Sequence, residues 1–417
     1  MTSNIPAQPD NPKSRILIVT ADAGFGHRSA ANAVAHAMEE VYGELCVIEI
    51  ANPLDDKRTP FFLRDSQADY DRMVRRLPEL YRFGYDASDA TVPSAIVEQA
   101  LTVLLFDVMR DLVRSFRPDV IVSTYPLYMA PLRAVLTITR QSIPLVSVVT
   151  DLATVHRMWL SSSVDSLLVP TQIVYDLAIN HGLPPEIVRV TGIPVNPMIV
   201  RETRSQAQIR LDMGLQPDLL TVLAVGSRRV DRLIDSLNVL NHFGQPLQLV
   251  MVAGKDEGLY RDLQAVEWHV PARVLDYVTN MPALMKAADW VLCKAGGLVI
   301  TEALASGRPM MVVDVLPGQE TGNADYVVEN GAGDLTMSSA EVLEATAHWL
   351  MNDRHLLRVR TENAERLGRP NAAYEVANTA WVLAQRRVVQ QRPGTGRLRL
   401  IDLLSRNQVH WEDENNG

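Results

Sequence analysis

Residues 23–27 read Ala-Gly-Phe-Gly-His and combine a flexible backbone with an imidazole. Gly24 and Gly26 would let the main chain approach a ligand closely, and a following helix would offer unpaired N–H groups to an anion. His27 would stand at this opening, where its side chain could accept a proton. The ordinary alternative is a tight turn with His27 at a helix start. NAD binding is disfavoured because Ser29 occupies the third glycine position of the dinucleotide-binding pattern GxGxxG.

A second proton-accepting side chain, Asp151, opens the stretch DLATVHRMW directly after an apolar run. An aspartate there, with His156 and Trp159 close behind, could pair a base with an acceptor-binding surface. Asp151 could equally cap the next turn, and Trp159 could be ordinary packing. The residue types alone leave both interpretations open.

A glycine-containing loop in the second half, Lys294-Ala295-Gly296-Gly297, follows an apolar strand and opens a helix. Its N–H groups could therefore hold a phosphate. Glu302 falls one to two turns into that helix. Its carboxylate could accept hydrogen bonds from ribose hydroxyls, or it could be a solvated helix acid.

Two further loops follow strands of the second half. Residues 316–323 (LPGQETGN) gather amide and carboxylate groups suited to sugar hydroxyls, although turn chemistry would explain their proline and glycines. Gly226 and Ser227 begin the loop GSRR, whose N–H groups and arginines could neutralise a phosphate or form an interdomain salt bridge.

These loops need a scaffold of parallel strands, and the hydrophobic pattern predicts one. Short apolar strands alternate with helices, beginning with residues 15–20 (RILIVT) and a helical pattern at about 28–41, and the alternation restarts at residues 219–226 (LLTVLAVG). We expect an α/β protein with two similar parallel-sheet halves. The expected division is a flexible leader at 1–14, a first domain at 15–198, a second at 199–368, a closing helix at 369–390 and a tail at 391–417.

The composition fits an ordinary globular enzyme. The 417 residues are 47% hydrophobic and 21% charged, with a net charge of −9, so no chain-wide basic excess attracts nucleic acid. The two cysteines lie far apart without CxxC spacing, which suggests neither a disulfide framework nor a cysteine zinc site and fits a reducing cytoplasm. No apolar run of membrane-spanning length and no signal peptide is expected.

The order of the motifs resembles the monogalactosyldiacylglycerol synthase family, within the glycosyltransferase group that also contains MurG. The matching stretches are AGFGHRSAANAV, VVTDLATVHRMW, VTGIPVNP and KAGGLVITEALASGRPMMVVDVLPGQETGNADYVVENGAG, which together span most of residues 15–335. The resemblance implies a GT-B fold, with two Rossmann-like parallel-sheet domains facing across a cleft. It also implies a UDP-sugar donor, a diacylglycerol acceptor, inversion at the anomeric carbon and neither a bound metal nor another cofactor.

Carried over position by position, the resemblance places the donor mainly on the second domain and the acceptor on the first. His27 and Asp151 would be the catalytic residues. The implied donor-binding residues are Gly226, Ser227, Leu275, Val278, Lys294, Gly296, Gly297, Glu302, Gln319, Glu320 and Asn323. The implied acceptor-binding residues are Gly24, Gly26, His156 and Trp159.

Inverting transfer needs a base for the acceptor hydroxyl and stabilisation of the departing UDP. An ordinary histidine has a pKa of about 6.5 and an ordinary aspartate one of about 3.9. We therefore expect His27 to be the base, with Asp151 supporting it or substituting for it. Without a metal, helix-end N–H groups and fixed cations would meet the diphosphate.

Diacylglycerol lies in a bilayer, so the enzyme is expected to be cytoplasmic and peripheral on the inner face of the membrane. Residues 57–85 carry seven basic and four acidic side chains interleaved with six Phe and Tyr residues, which suits a headgroup interface containing anionic lipid. The alternative is an ordinary surface insertion.

Four other functions stay open at this point. The hexose could be glucose instead of galactose, since the two differ in the orientation of one hydroxyl. The acceptor could be polyprenyl-linked, as for MurG. The protein could also be a UDP-N-acetylglucosamine 2-epimerase, which shares the architecture, or a non-catalytic UDP-sugar sensor.

Overall fold

The computed structural model describes residues 13–22, 26–61, 63–64, 91–226, 232–316 and 320–385. The predicted site residues Gly24, Ser227 and Gln319 lie outside these ranges. So do the tail, nearly all of the leader, and Phe62 and residues 65–85 of the predicted membrane segment.

The first half of the chain forms a sheet of six parallel strands in the order β2-β1-β3-β4-β5-β6. The inner strands are mostly apolar and buried, as expected when both faces of a parallel sheet are covered, whereas the two edge strands carry Glu49 and Arg189. The strands are β1 Ser14–Val19, β2 Cys46–Ala51, β3 Val120–Ser123, β4 Leu145–Val148, β5 Ser166–Val169 and β6 Val188–Val190. The helices among them are α1 Gly26–Tyr42, α2 Thr91–Phe116, α3 Met129–Thr139 and α4 Gln172–Asn180, with 3₁₀ turns at Gly43–Leu45, Pro53–Asp55, Pro126–Tyr128, Arg157–Trp159 and Pro185–Ile187.

The second half forms another six-stranded parallel sheet in the order β12-β11-β10-β7-β8-β9. Its strands are β7 Leu220–Val225, β8 Leu247–Val252, β9 Ala272–Leu275, β10 Trp290–Lys294, β11 Met310–Asp314 and β12 Gly333–Leu335. Its helices are α5 Met198–Arg201, α6 Gln206–Asp212, α7 Leu233–Asn241, α8 Glu257–Ala265, α9 Met281–Ala287, α10 Gly297–Ala305, α11 Thr321–Glu329 and α12 Ser339–Leu367. Helix α12 is interrupted by non-helical backbone from Met351 to Arg354.

Each sheet is packed on both faces by separate hydrophobic clusters. The apolar side of α1, including Val34 and Met38, covers one face of the first sheet together with the last described helix, α13 Ala372–Ala384. Tyr42 of α1 stacks on Trp381 of α13 with ring centroids 4.4 Å apart. The chain therefore returns to the first sheet after completing the second.

Both strand orders contain a position where successive connections leave in opposite directions. It lies between β1 and β3 in the first sheet and between β7 and β10 in the second. Loops at the carboxyl ends of strands separate at such positions and leave a crevice for ligands. The two crevices are where polar residues of the sequence motifs collect.

Among the described residues, no helix combines the length and apolarity needed to cross a bilayer.

Candidate active site

His27 lies in the first turn of α1, just beyond β1 at the crevice of the first sheet. Its Nδ1 is 2.7 Å from the hydroxyl of Thr150, and its carbonyl accepts a hydrogen bond of 3.1 Å from the Thr124 hydroxyl. Tyr125 meets the imidazole edge-to-face at 5.0 Å between centroids. These contacts fix the position of the ring.

The environment of His27 favours the neutral imidazole. Burial lowers its pKa to about 4, and a hydrogen bond between the imidazole and the backbone of Thr124 opposes the shift only partly. No carboxylate is among the causes. The expectation of an ordinary histidine, half protonated near neutrality, is therefore wrong for this position.

Asp151 follows β4, the strand next to β3, and is held by Trp159. The indole Nε1 donates a hydrogen bond of 2.7 Å to Asp151 Oδ2. Burial raises the pKa of Asp151 to about 6, and the hydrogen bond from Trp159 lowers it by a smaller amount. Asp151 is thus ionised at neutral pH and holds a proton more strongly than a solvated aspartate.

Trp159 itself is fully buried, within the core cluster that covers one face of the first sheet. Its indole lies 6.1 Å from the His27 ring, between the two catalytic candidates. The predicted direct contact with the acceptor does not suit a side chain with no exposed surface. The structure instead gives Trp159 the task of holding Asp151.

The other acceptor candidates differ in what surrounds them. His156 Nδ1 accepts a hydrogen bond of 3.2 Å from Met158 N, which caps the 3₁₀ turn Arg157–Trp159. Gly26 has open space where a Cβ would stand. A ligand could approach the backbone closely at the start of α1.

On the second domain, Lys294 ends β10 and forms an ion pair with Glu320 Oε1. The other carboxylate oxygen, Oε2, accepts a hydrogen bond of 3.1 Å from Leu316 N. Glu320 is only 7% exposed. The predicted phosphate-binding lysine and the predicted sugar-binding glutamate therefore meet, and their pairing ties the end of β10 to the residue that precedes α11.

The loop after β10 starts α10 with Gly296 and Gly297, whose N–H groups have no side-chain cap among the described residues. Asn323 Nδ2 donates a hydrogen bond of 3.0 Å to Ala295 O and so anchors the loop from behind. This bond uses one of the two amide hydrogens. The other hydrogen and the amide oxygen of Asn323 are left for the predicted contact with a sugar.

Glu302 lies on the second turn of α10, as the sequence predicted. Burial raises its pKa to about 7, and no charged partner contributes. Its carboxyl group can therefore accept or donate a hydrogen bond near neutrality. Both abilities suit a pair of ribose hydroxyls.

The remaining donor-binding candidates are Gly226, which is closely packed, and Leu275 and Val278, which line a cavity. A Cβ at Gly226 would lie 2.5 Å from Leu259 Cδ2 and 3.1 Å from the carbonyl oxygen of Val252, so a larger residue there would require its neighbours to shift. Leu275 and Val278 line a cavity of about 290 Å³ between β9 and α9, together with Arg273 and Tyr277. If these residues contact the uracil, as predicted, the base would lie in this cavity.

The two domains touch where these groups collect. A Cβ at Gly297 would be 3.7 Å from the carbonyl oxygen of Thr150, and one at Gly322 would overlap Thr154 Oγ1. The start of α10 therefore lies against the His27–Asp151 side of the first domain. A donor phosphate at α10 and a proton acceptor on the first domain would be close neighbours.

Sequence reasoning missed Thr150, Tyr125 and Thr154. All three immediately follow strands or lie in the loop after β4, so the rule that ligands collect at the carboxyl ends of strands could have indicated them. Hydroxyl side chains carry no distinctive signal in sequence, so these three residues are recognised only by their contacts in the structure.

Comparison with known proteins supports the same assignment over both halves. Residues 27–195 match the family described as monogalactosyldiacylglycerol (MGDG) synthase, and residues 221–373 match the glycosyltransferase family 28 C-terminal domain. A probable monogalactosyldiacylglycerol synthase of Nicotiana tabacum is 30% identical over 402 residues, covering 91% of this chain and 73% of the relative. The chain belongs to the monogalactosyldiacylglycerol synthase family.

Another member of the monogalactosyldiacylglycerol synthase family, from Spinacia oleracea, is 29% identical over 91% of this chain and 74% of its own. The fold is shared more widely. MurG of Acinetobacter baumannii superposes with a TM-score of 0.56 at 17% identity, over 89% of this chain and all of that one. UDP-GlcNAc 2-epimerase of Neisseria meningitidis gives 0.55 at 14% identity, over 88% and 100%.

These likenesses confirm the predicted GT-B architecture, and family membership makes the protein a glycosyltransferase. Within the described ranges, no three His, Cys, Asp or Glu side chains are grouped to hold a metal ion. The predicted metal-free mechanism stays a prediction.

Proposed function

We propose that the protein transfers galactose from UDP-galactose to the free hydroxyl of 1,2-diacylglycerol, with inversion at the anomeric carbon. The observation that carries this proposal is the contact between the two crevices. The start of α10 and the Lys294 loop lie against Thr150, beside His27 and Asp151. A nucleotide-sugar held by the second domain would present its anomeric carbon to the first.

Asp151 is the general base in this scheme. The carboxylate takes the proton from the acceptor hydroxyl as the oxygen forms its bond to the anomeric carbon, and the bond from that carbon to the diphosphate oxygen breaks. A pKa of about 6 places the group near working pH, whereas a pKa of about 4 makes the imidazole of His27 a weak base. The expectation that favoured His27 is revised for this reason.

Charge that grows on the departing UDP meets groups already in place. The unpaired N–H groups at the start of α10 and the ammonium of Lys294 would face the diphosphate. Because the ion pair with Glu320 holds the Lys294 ammonium in place before the ligand arrives, this cation needs little rearrangement during reaction. Glu302 would hold the ribose and the cavity beside Leu275 the uracil.

The acceptor requires contact with a bilayer, and we propose that the enzyme is peripheral on the cytoplasmic face of the membrane. The basic and aromatic segment at 57–85 supports this proposal by composition. Its described part includes Phe61, which is 68% exposed. Anionic lipid near this segment would strengthen binding.

A product assay tests the reaction. Vesicles containing diacylglycerol are incubated with radiolabelled UDP-galactose or UDP-glucose, with and without a chelator, and the lipid product is identified. Galactosyl-diacylglycerol formed in chelator is the expected result. Epimerised free sugar without a labelled lipid, or label only on a polyprenyl acceptor, would replace the proposed function, and loss of activity in chelator would contradict the metal-free mechanism.

Asp151→Asn tests the base. Asparagine can still accept the hydrogen bond from Trp159, so the fold should persist while kcat falls by roughly 10²–10⁴-fold, the usual contribution of general base catalysis. Wild-type kcat should decline below about pH 6, because protonated Asp151 cannot accept a proton. A profile that stays flat down to about pH 4 would return the role to His27.

A further inference from the structure

A cavity of about 730 Å³ lies at the edge of the first sheet opposite the His27–Asp151 crevice. It is lined by Arg15 of β1, by the last two turns of α2 and by Arg117, which leads to β3. These are the amino ends of two paired parallel strands, whereas the crevice lies at their carboxyl ends. This arginine cavity is therefore separate from both crevices.

Three arginines line the arginine cavity, together with one described carboxylate. The side chains of Arg114 and Arg117 make no hydrogen bond or ion pair within the described part of the chain. The carboxylate, Asp111, is already bound by Arg58 at 2.5 Å and by Arg110 at 3.0 Å. The cavity therefore carries positive charge that its own carboxylate does not neutralise.

The third arginine, Arg15, is held in place by Phe116. Its Nε donates a hydrogen bond to Phe116 O, and its guanidinium carbon lies 4.5 Å from the centre of the phenyl ring, which is 5% exposed. The two terminal nitrogens of Arg15 have no partner among the described residues, and Asp119 meets only its backbone N, at 2.8 Å. A guanidinium fixed in this way loses little freedom when it binds an anion.

Arg117 has a backbone conformation that favours a different residue. Its φ is +52°, in the left-handed region, directly after the end of α2. Glycine usually occupies this position of a helix end, because a side chain is strained there. The negative end of the helix dipole attracts cations, which accounts in part for Arg114 and Arg117 but not for Arg15, which lies on a strand.

We propose that the arginine cavity binds the phosphate group of a small molecule from solution, at a site separate from the donor site. Guanidinium groups bind phosphate through paired N–H···O hydrogen bonds, and three of them line this one cavity. Its volume falls within the range of about 300–1,000 Å³ that small-molecule sites have, which leaves room for more than the phosphate.

The same chemistry would fit a lipid headgroup, and the position of the cavity favours a ligand from solution. The diacylglycerol of the proposed function would enter at the carboxyl ends of the strands. A bilayer at that edge would not reach the amino ends, where the arginine cavity lies. This choice of source rests on the proposed function, whereas the phosphate chemistry does not.

Two substitutions remove positive charge from exposed positions. Arg117→Gly relieves the left-handed backbone, so it should not lower the unfolding temperature. Arg114→Gln removes a guanidinium from the last turn of α2. Arg189→Gln is the matched control, because Arg189 on β6 is also exposed, has no described side-chain partner and does not line the cavity.

Calorimetry with pyrophosphate measures binding to the full chain, with UDP at saturation to fill the donor site. Wild-type protein should bind pyrophosphate, and Arg117→Gly and Arg114→Gln should each weaken that binding by about tenfold or more, whereas Arg189→Gln should not. If UDP itself fills the arginine cavity, the wild type binds two UDP molecules and the two variants bind one, which also supports the site. Neither pyrophosphate nor a second UDP on the wild type, or equal binding by all four proteins, would overturn the proposal.

Vesicles separate the two sources of phosphate. Sedimentation with phosphatidylcholine vesicles, with and without phosphatidylglycerol, compares the wild type, the double variant of Arg114→Gln and Arg117→Gly, and Arg189→Gln. Equal binding by the three proteins supports a ligand from solution. Loss of phosphatidylglycerol binding in the double variant alone would identify a headgroup and overturn the proposed source. None of these measurements requires turnover, so failure of the proposed reaction is distinguished from failure of this site.

Discussion

The ionisable groups of the two crevices differ in whether they have charged partners. In the first domain, His27 and Asp151 have neutral partners, Thr150 and Trp159. Burial lowers the pKa of His27 and raises that of Asp151, which in both cases favours the uncharged form. In the second domain, Lys294 and Glu320 form an ion pair whose carboxylate is also tied to the backbone.

This difference assigns proton transfer to the first domain and binding of the charged diphosphate to the second. A group without an opposite charge nearby can change its protonation state at moderate cost, which suits a base. A paired lysine keeps its charge and its place, which suits a diphosphate. Each crevice therefore has the electrostatics for one half of the reaction.

The largest expected effect comes from breaking the ion pair. Lys294→Met leaves the buried Glu320 carboxylate without its cationic partner, so the free energy of unfolding should fall by about 3 kcal/mol, the lower end for such losses. Adding Glu320→Gln should recover most of that stability, because glutamine is uncharged and can still accept from Leu316 N. UDP affinity, measured by calorimetry, should stay reduced by roughly 10–100-fold in both variants, since the cation is missing. Recovery of UDP binding in the double variant would show that Lys294 acts only on the fold.

The contact between the crevices can be disturbed at Gly322. A methyl group there overlaps Thr154 Oγ1, so Gly322→Ala should hold the domains apart and lower kcat/KM by roughly 10–100-fold, as displaced reacting groups do. Thr154→Ala removes the obstructing oxygen and should restore activity in the double variant. Steady-state kinetics of Gly322→Ala, Thr154→Ala and the double variant test this prediction. A fully active Gly322→Ala would mean that this contact is not part of the productive state.

The smallest expected effect is a shift in pH dependence. Trp159→Phe removes a hydrogen bond that stabilises the Asp151 carboxylate, so the pKa of Asp151 should rise further above its ordinary value. Because the protonated acid cannot act as a base, the acidic limb of the kcat profile should move to higher pH. Trp290→Phe is a matched control, since Trp290 is also fully buried but its Nε1 has no partner within the described ranges. An equal shift in both variants would assign it to packing.

Much of the fold could be predicted from the sequence because apolar runs and glycine-containing loops are local signals. The expected strand at 15–20 is β1 Ser14–Val19, and the expected helix after Gly296 is α10. The closing helix, expected at 369–390, is described at Ala372–Ala384. Its packing against α1 came from contacts far apart in sequence, which the pattern did not contain.

The site was predicted less completely, since protonation depends on surroundings. The sequence identified His27 and Asp151 but assigned them ordinary pKa values, and the order of those values is reversed once the chain folds. Trp159 was expected at the acceptor and is buried beneath Asp151. Thr150 was not identified, because its importance lies in a contact with a residue 123 positions away.

The sequence by itself determined the two parallel sheets, the loops that carry the chemistry and the family, since these depend on residue types and their order along the chain. Only the tertiary structure decided that His27 is neutral whereas Asp151 is ionised at neutral pH, that Lys294 is paired and where the domains touch. Those properties depend on desolvation and on distances between residues remote in sequence, and neither quantity is written in local residue order.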